Sequence, residues 1–176
     1  AQILAIKAPT RVRTVTLIAT ELWADPPFEP APISPAILDH FGQLGALDWT
    51  DAAAVEAFIA QLSRLNAGEG QPLDESELIA TTRRELTRSP QPAAMFNHAM
   101  LTGGETFWNR TAEIRAPTLI IHGDRDPVID PRHAEALQAA ISNAEIMMLE
   151  NTGHILPATH AQTTANAILQ RTHRPN

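Results

Sequence analysis

The sequence predicts an α/β fold built on a parallel sheet. Three stretches have the length and the apolar or β-branched content of buried strands: residues 13–19, 118–121 and 144–149. Helical patterns separate them, a long one before the second stretch and a short one before the third. Because strands that alternate with helices are joined by right-handed crossovers, we expect three parallel strands with flanking helices.

A proline-rich stretch divides the chain. Residues 1–24 predict a helix followed by the first strand, and five prolines then fall within residues 26–35, which excludes regular structure there. We therefore predict a core segment over residues 1–24, a helical insertion over residues 25–110 and a second core segment over residues 111–176.

Helical periodicity continues through the insertion. Apolar residues recur at helical spacing over residues 50–65, where Thr50 is the expected N-cap. Asp74, followed three residues later by Glu77, resembles a capping box that begins the next helix. Residues 93–101 are expected to form the last helix of the insertion.

Acidic residues and a histidine follow the ends of the last two predicted strands. The strand at 118–121 leads to Asp124 and Asp126, and the strand at 144–149 leads to His154. Because the carboxyl ends of parallel strands meet at one edge of a sheet, we expect these side chains to lie close together. A carboxylate that orients an imidazole supplies two members of an acid–base relay.

These two loops resemble those of the α/β-hydrolases, in which a G-x-x-D loop carries the catalytic acid and a G-H-x-x-P segment carries the catalytic histidine. The matching sequences are GDRDP from Gly123 and GHILP from Gly153. Asp126 and His154 are 28 residues apart, which is the usual spacing in the family. The resemblance implies that Asp126 is the acid and His154 the general base. Asp124 is the alternative acid, although the family's motif points to the later aspartate.

The family's serine nucleophile lies in a G-x-S-x-G elbow, a tight turn between a strand and a helix. No serine of this chain has that context, and there is no cysteine to replace it. The opening residues 1–9 are similar to the helix that follows the elbow in the family. The resemblance therefore implies the C-terminal part of an α/β-hydrolase that is longer or made of two parts, and this chain alone is expected to be inactive.

The resemblance also implies that the helical insertion is a lid, which supplies an apolar pocket for a small-molecule substrate. The expected substrate contacts are Met95 and Phe96 in the last lid helix, Trp23 after the first strand, and Val128 and Ile155 beside the acid and the histidine. A helix rich in methionine and aromatic residues is also typical of an ordinary core, so this alternative stays open for Met95 and Phe96.

The implied activity is that of a serine hydrolase that cleaves a carboxylic ester of a small apolar molecule, as bacterial small-molecule esterases do. Lactonases, epoxide hydrolases and haloperoxidases of the same superfamily share these motifs and are alternatives. An inactive remnant that acts as a binding or assembly module is an alternative of a different class. The expected protein partner is the N-terminal portion of the same hydrolase or a second copy of this chain, because the strand at 13–19 would otherwise leave an unpaired edge.

Composition and charge argue against other classes of partner. The formal net charge is −7 and the basic residues are scattered, so general affinity for nucleic acid or for an anionic membrane surface is not expected. No apolar run approaches the roughly 20 residues that span a bilayer. The absence of cysteine fits a reducing compartment, and we therefore expect a cytoplasmic protein.

No metal site and no cofactor are expected. Four histidines outside the motifs show neither the i, i+4 pairing nor the carboxylate spacing of a metal site: His40, His133, His160 and His173. The chain also lacks a glycine-rich phosphate loop, so no nucleotide cofactor is implied.

Overall fold

The computed structural model describes residues 1–172, apart from the side chain of Ala99. Three strands, β1 (Val15–Ile18), β2 (Thr118–Gly123) and β3 (Ala144–Leu149), form one parallel sheet in the order β1-β2-β3. The α/β class and the three parallel strands predicted from the sequence are therefore confirmed. β3 has the predicted bounds, and β2 continues two residues beyond its predicted end.

β1 is shorter than the predicted strand at 13–19, and that prediction of its length was wrong. The N–H of Val15 donates to the carbonyl of Pro117 across 2.9 Å. Because proline has no N–H, Pro117 cannot donate a sheet hydrogen bond to the residues before Val15. At the other end, Ala19 has a φ of 46°, which turns the backbone out of the strand conformation.

The register of the sheet aligns the first residues of all three strands. Val15 lies opposite Thr118, which in turn lies opposite Ala144. The C-terminal ends therefore lie at one edge of the sheet, and β2 is buried along its whole length. Among the described residues β1 pairs with β2 alone, and Ile18 at its end is exposed.

Helices and loops make up the remainder of the described chain. The α-helices are α1 (Gln2–Lys7), α2 (Pro35–Phe41), α3 (Ala52–Asn66), α4 (Glu75–Arg88), α5 (Arg132–Ala140) and α6 (Ala158–Thr172). Short 3-10 helices cover Leu44–Ala46, Pro92–Met100, Glu105–Phe107 and Thr111–Glu113. The long helices α3 and α4 therefore belong to the segment between β1 and β2, which is where the sequence predicts the helical insertion.

The sheet is covered on both faces. One face packs against α1 and α5 through an apolar cluster that includes Ala5, Leu17 and Leu137. The other face packs against α6 through contacts that include Ile121 and Ile168. Parallel sheets are normally protected on both faces, and this arrangement explains why β2 is buried throughout.

Helix α3 begins at a different cap from the predicted one. The Oδ1 atom of Asp51 accepts hydrogen bonds from the N–H groups of Ala53 and Ala54, so the prediction of Thr50 as the N-cap was wrong. Aspartate and threonine are both good N-caps. Which of two adjacent residues caps the helix therefore depends on where the backbone enters the helical conformation.

Helix α4 uses half of the expected capping box. Asp74 caps the helix by accepting from the N–H groups of Ser76 and Glu77 at 2.9 and 3.1 Å. The Glu77 carboxylate instead accepts from Thr81 and Arg84 on the following turns. The reciprocal bond of a capping box is therefore replaced by contacts along the helix surface.

The last predicted helix of the insertion, at 93–101, is a 3-10 helix over Pro92–Met100. Pro92 lies in the first turn of this helix, where proline is tolerated, so the prolines set its start rather than its 3-10 form. Phe96 from this segment packs on a cluster formed by Val55, Phe58 and Ile59 of α3.

Candidate active site

Asp126 and His154 meet at the edge where the parallel strands end. Asp126 follows β2 and His154 follows β3, and the Nδ1 atom of His154 lies 2.9 Å from the Oδ2 atom of Asp126. The Asp126 side chain is fully buried, whereas the His154 side chain is 28% exposed. This pair has one buried end that fixes its orientation and one end that other molecules can reach.

The carboxylate of Asp126 is held on both oxygens. Oδ1 accepts from the N–H groups of Val128 and Ile129 at 2.8 and 2.9 Å, and Oδ2 is shared by His154 and His122. Burial by itself would raise the pKa of Asp126, but the hydrogen bonds from His122, His154 and the Ile129 N–H outweigh it, so the pKa lies well below its ordinary value. The group is therefore a carboxylate at neutral pH.

His122 is the residue that sequence reasoning missed. Its position at the end of β2 predicts only packing in the core, and its side chain is indeed fully buried. However, its Nε2 atom lies 3.2 Å from Oδ2 of Asp126 and 3.1 Å from the carbonyl oxygen of Ile129. Both of these neighbours accept hydrogen bonds, so Nε2 carries the proton. Nδ1 is buried without a hydrogen-bond partner in the described part of the chain. The signal available in the sequence was a histidine four residues before the acid.

The contact with Asp126 also sets the tautomer of His154. Because the carboxylate accepts, Nδ1 of His154 donates, and Nε2 of the neutral ring then carries a lone pair. No atom within residues 1–172 hydrogen-bonds that Nε2. A ring held in this way can take a proton from a hydroxyl group and stabilise the resulting positive charge through the buried carboxylate.

The backbone of the histidine loop is attached to the end of α3. The N–H of His154 donates to the carbonyl of Asn66 across 2.7 Å, and the N–H of Gly153 donates to Oε1 of Gln71 across 2.9 Å. Both acceptors lie in the helical insertion, more than 80 residues earlier in the chain. No local sequence pattern indicates these two contacts.

Asp124 has a different position from Asp126. Its Oδ1 accepts from the N–H of Thr152 at 3.2 Å, and its own N–H donates to the Leu149 carbonyl. Asp124 therefore bridges the loops after β2 and β3, and the structure places no hydrogen bond between it and His154. This geometry favours Asp126 over Asp124 as the partner of the histidine.

Two glycines allow the loops after β2 and β3 to approach other backbone closely. A Cβ atom at Gly123 would overlap the carbonyl oxygen of Thr152, and one at Gly153 would overlap the carbonyl oxygen of Ala67. A side chain at Gly123 would push the loops after β2 and β3 apart, and one at Gly153 would push the histidine loop away from the end of α3. Backbone contact therefore fixes the distance between the acid and the histidine.

The predicted substrate contacts lie in several places. Ile155 lines both a small cavity beside His154 and a larger cleft next to it. Val128 contributes its N–H to Asp126, and its side chain is half-buried. Trp23 packs edge to face on another tryptophan, with ring centroids 5.0 Å apart.

The two substrate contacts predicted for the last helix of the insertion, Met95 and Phe96, also differ from each other. Phe96 packs edge to face on Phe41 and Trp49, with centroid distances of 5.9 and 6.2 Å, as a core residue does. Met95 is 41% exposed. Neither side chain lines the small cavity or the cleft. Their role as substrate contacts stays a prediction.

The part of the chain over residues 1–172 holds no group of three or more histidine, cysteine, aspartate or glutamate side chains placed to bind a metal ion. It also contains no helix with the length and apolar character that a bilayer crossing requires. His173, one of the histidines considered in the sequence, lies outside the described residues.

The parallel sheet, with an acid and a histidine at the ends of adjacent strands, defines the chain as a member of the α/β-hydrolase superfamily. The sequence profile of the family described as "Serine aminopeptidase, S33" matches residues 1–157, and the chain belongs to this family of α/β-hydrolases. The resemblance drawn from the sequence motifs is thereby confirmed.

Individual relatives agree with this assignment. Rhodomycin D methylesterase DauP of Streptomyces sp. (strain C5) is 29% identical over 189 residues, which cover 97% of this chain and 62% of the relative. Rhodomycin D methylesterase DnrP of Streptomyces peucetius is 28% identical over the same lengths. The chain thus spans less than two thirds of these relatives.

A solved structure shows the same fold. The bromoperoxidase from Bacillus anthracis superimposes with a TM-score of 0.65 at 19% identity, covering 97% of this chain and 63% of the bromoperoxidase. At this identity the likeness concerns the fold and not the reaction.

Proposed function

We propose that the chain is the acid- and base-bearing part of a serine hydrolase that cleaves a carboxylic ester of a small, largely apolar molecule. The observation that carries this proposal is the pair at the strand ends, with the Nδ1 atom of His154 2.9 Å from a buried Asp126 carboxylate. Two relatives described as methylesterases, which align with 97% of this chain, support an ester as the substrate.

In the proposed reaction, Nε2 of His154 takes the proton from a serine hydroxyl as its oxygen attacks the ester carbonyl. Asp126 stabilises the imidazolium, which then passes the proton to the departing alcohol. The ester formed on the serine is hydrolysed when the same nitrogen activates water. None of the serines in this sequence lies in a G-x-S-x-G elbow, so we propose that the nucleophile and its oxyanion donor belong to a segment outside these 176 residues.

The reading frame upstream of Ala1 provides the test. An in-frame G-x-S-x-G would supply the nucleophile, and the extended protein would be assayed with p-nitrophenyl butyrate beside the 176-residue chain. We expect turnover by the extended protein, loss of turnover in its His154→Ala variant, and none by the 176-residue chain, because a triad works as a unit.

Two outcomes would contradict the proposal. Turnover by the 176-residue chain that is lost in His154→Ala would mean that the nucleophile lies within this sequence. An upstream frame without the elbow would instead favour an inactive remnant that acts as a binding or assembly module. Lactone, epoxide and halide substrates should be assayed in parallel, because the corresponding enzymes share the acid and the base.

We also propose a protein partner at the outer edge of β1, which is either the segment that carries the elbow or a second copy of this chain. The unpaired edge and the exposed Ile18 of the described structure support this, because an open strand edge invites pairing. Light scattering of the 176-residue chain over a range of concentrations should detect self-association, and a stable monomer with cooperative melting would contradict it. The lack of cysteine supports a cytoplasmic location.

A further inference from the structure

A cleft of about 870 Å³ lies between helix α4 and the segment that follows His154. Leu73 and Leu78 contribute one apolar wall, and Ile155 and Leu156 contribute the opposite one. A volume of this size is typical of clefts that bind small molecules. His154 itself does not line the cleft, so the cleft is distinct from the hydrogen-bonded pair.

The cleft adjoins the site beside the histidine. Ile155 and Leu156 line the cleft and also line the small cavity to which His154 belongs. A molecule that occupied the cleft would therefore lie against the two residues that follow the histidine. This position suits the part of a substrate that does not react.

Gln71 provides a polar group at this cleft. The residue is only 9% exposed, it lines the cleft, and its Oε1 accepts from the N–H of Gly153 at 2.9 Å. Because Gly153 donates, the oxygen of the amide must face it, which leaves the Nε2 donors on the other side. Within the described residues Nε2 has no hydrogen-bond partner. A donor on a largely buried side chain gains from an acceptor supplied by a ligand.

The charged side chains around the cleft select against anions. Asp74, Glu77 and Glu85 are acidic, and Arg84 is the basic residue of the lining. Arg84 is already paired with Glu77 at 2.8 Å. A carboxylate or phosphate in the cleft would therefore face net negative charge, whereas a neutral molecule would not.

We propose that this cleft binds the bulky part of a neutral, largely apolar ester, and that Nε2 of Gln71 donates to an oxygen atom of that ligand. The opposite end of the same amide holds the histidine loop through Gly153. Binding in the cleft stands on the geometry alone, and only the statement that the bound molecule is then cleaved rests on the proposed function.

A neutral ketone tests the binding without any chemistry. 2-Acetylnaphthalene offers an oxygen acceptor, naphthalene offers none, and both can be titrated into the 176-residue chain by ligand-observed NMR. In Gln71→Glu, the acceptor for the Gly153 N–H is kept and the donor is lost. We expect this variant to bind the ketone about fivefold more weakly and naphthalene unchanged. The matched control is Gln138→Glu at an exposed position of α5, which should leave both ligands unaffected.

A second variant tests the location of the ligand. Leu78→Trp fills the apolar wall and should abolish binding of both molecules. If this variant does not fold, nuclear Overhauser effects from the ketone to the methyl groups of Leu78 and Ile155 in the unaltered chain give the same information, and their absence overturns the proposal.

Other outcomes are equally decisive. Equal affinity of Gln71→Glu and the unaltered chain for the ketone overturns the role of Gln71. If the ligands bind with the expected pattern but the extended protein cleaves no ester, the results support ligand binding in the cleft and contradict the proposed ester hydrolysis.

Discussion

Backbone contacts hold the loops at the strand ends, whereas side-chain contacts hold much of the helical insertion. At the strand ends, Gly123 and Gly153 approach carbonyl groups so closely that no Cβ would fit. In the insertion, α3 and α4 are linked at the surface by ion pairs such as Arg83 with Glu56 at 2.8 Å. The insertion also carries exposed apolar side chains, with Met100 81% exposed.

The difference concerns what each region must keep constant. Backbone contacts that exclude any side chain leave little freedom in the distance between Asp126 and His154, and proton transfer depends on that distance. Exposed ion pairs and apolar side chains can rearrange at little energetic cost. The loops at the strand ends are therefore held tightly, and much of the insertion is held loosely.

The largest expected effect comes from the hydrogen-bonded pair. In the extended protein, His154→Ala and Asp126→Asn should each lower turnover by roughly 10³–10⁴-fold, because the first removes the base and the second leaves the ring wrongly oriented. Asp124→Asn keeps a side-chain oxygen for the Thr152 N–H and should cost little. Steady-state kinetics on folded variants measures this, and a greater loss in Asp124→Asn would reverse the assignment of the acid.

Next in size is the effect of filling the close contact at Gly153. Gly153→Ala places a methyl group against the Ala67 carbonyl and should lower the free energy of unfolding by about 3 kcal/mol. Gly45→Ala is the matched control, since no atom lies within 4 Å of a Cβ there. Urea unfolding compares the two. Similar stabilities would mean that the histidine loop can move away from α3. The loops at the strand ends would then be no more rigidly held than the insertion.

Acid should weaken the strand-end region through Asp126. Its pKa in the folded chain lies below the unfolded value of about 3.9, so its stabilisation is complete above about pH 4 and is lost as the pH falls through the folded pKa. Unfolding free energies of the unaltered chain and of Asp126→Asn should therefore converge as the pH falls from about 4 to about 2. Parallel pH curves would show that Asp126 does not have a lowered pKa.

The smallest effect is expected at the exposed apolar side chains of the insertion. Met100→Ser and Leu101→Ser replace groups that are 81% and 80% exposed, and each should change the free energy of unfolding by no more than about 0.5 kcal/mol. Thermal melting of both variants provides the measurement. A clear loss of stability would mean that these two side chains make stabilising contacts. This part of the insertion would then be held more tightly than its exposure indicates.

Regular features of the chain could be predicted because their causes are local. The bounds of β3 follow from a run of apolar residues closed by turn residues, and the meeting of Asp126 with His154 follows from the geometry of parallel strand ends. The N-cap of α3 could not be predicted, because Thr50 and Asp51 are both suitable caps and lie side by side.

Parts of the site depend on contacts that no local pattern encodes. The role of His122 depends on a loop that returns Asp126 to the end of β2, so that one carboxylate oxygen lies between two histidines. The roles of Asn66 and Gln71 depend on how the insertion folds back over the sheet. Periodicity and capping rules describe neighbours along the chain and carry no information about such distant pairs.

The attachment of the histidine loop to the end of α3 also limits where this chain can be recombined with a relative without separating contacting residues. Exchange of the whole insertion between two parents looks simple, because it is one continuous segment. A crossover between α3 and β3, however, would join a new α3 terminus to an old histidine loop. Residues 66–71 and 153–154 should therefore be inherited together in shuffled libraries, as a linked block whose members Gln71 and Gly153 are 82 positions apart.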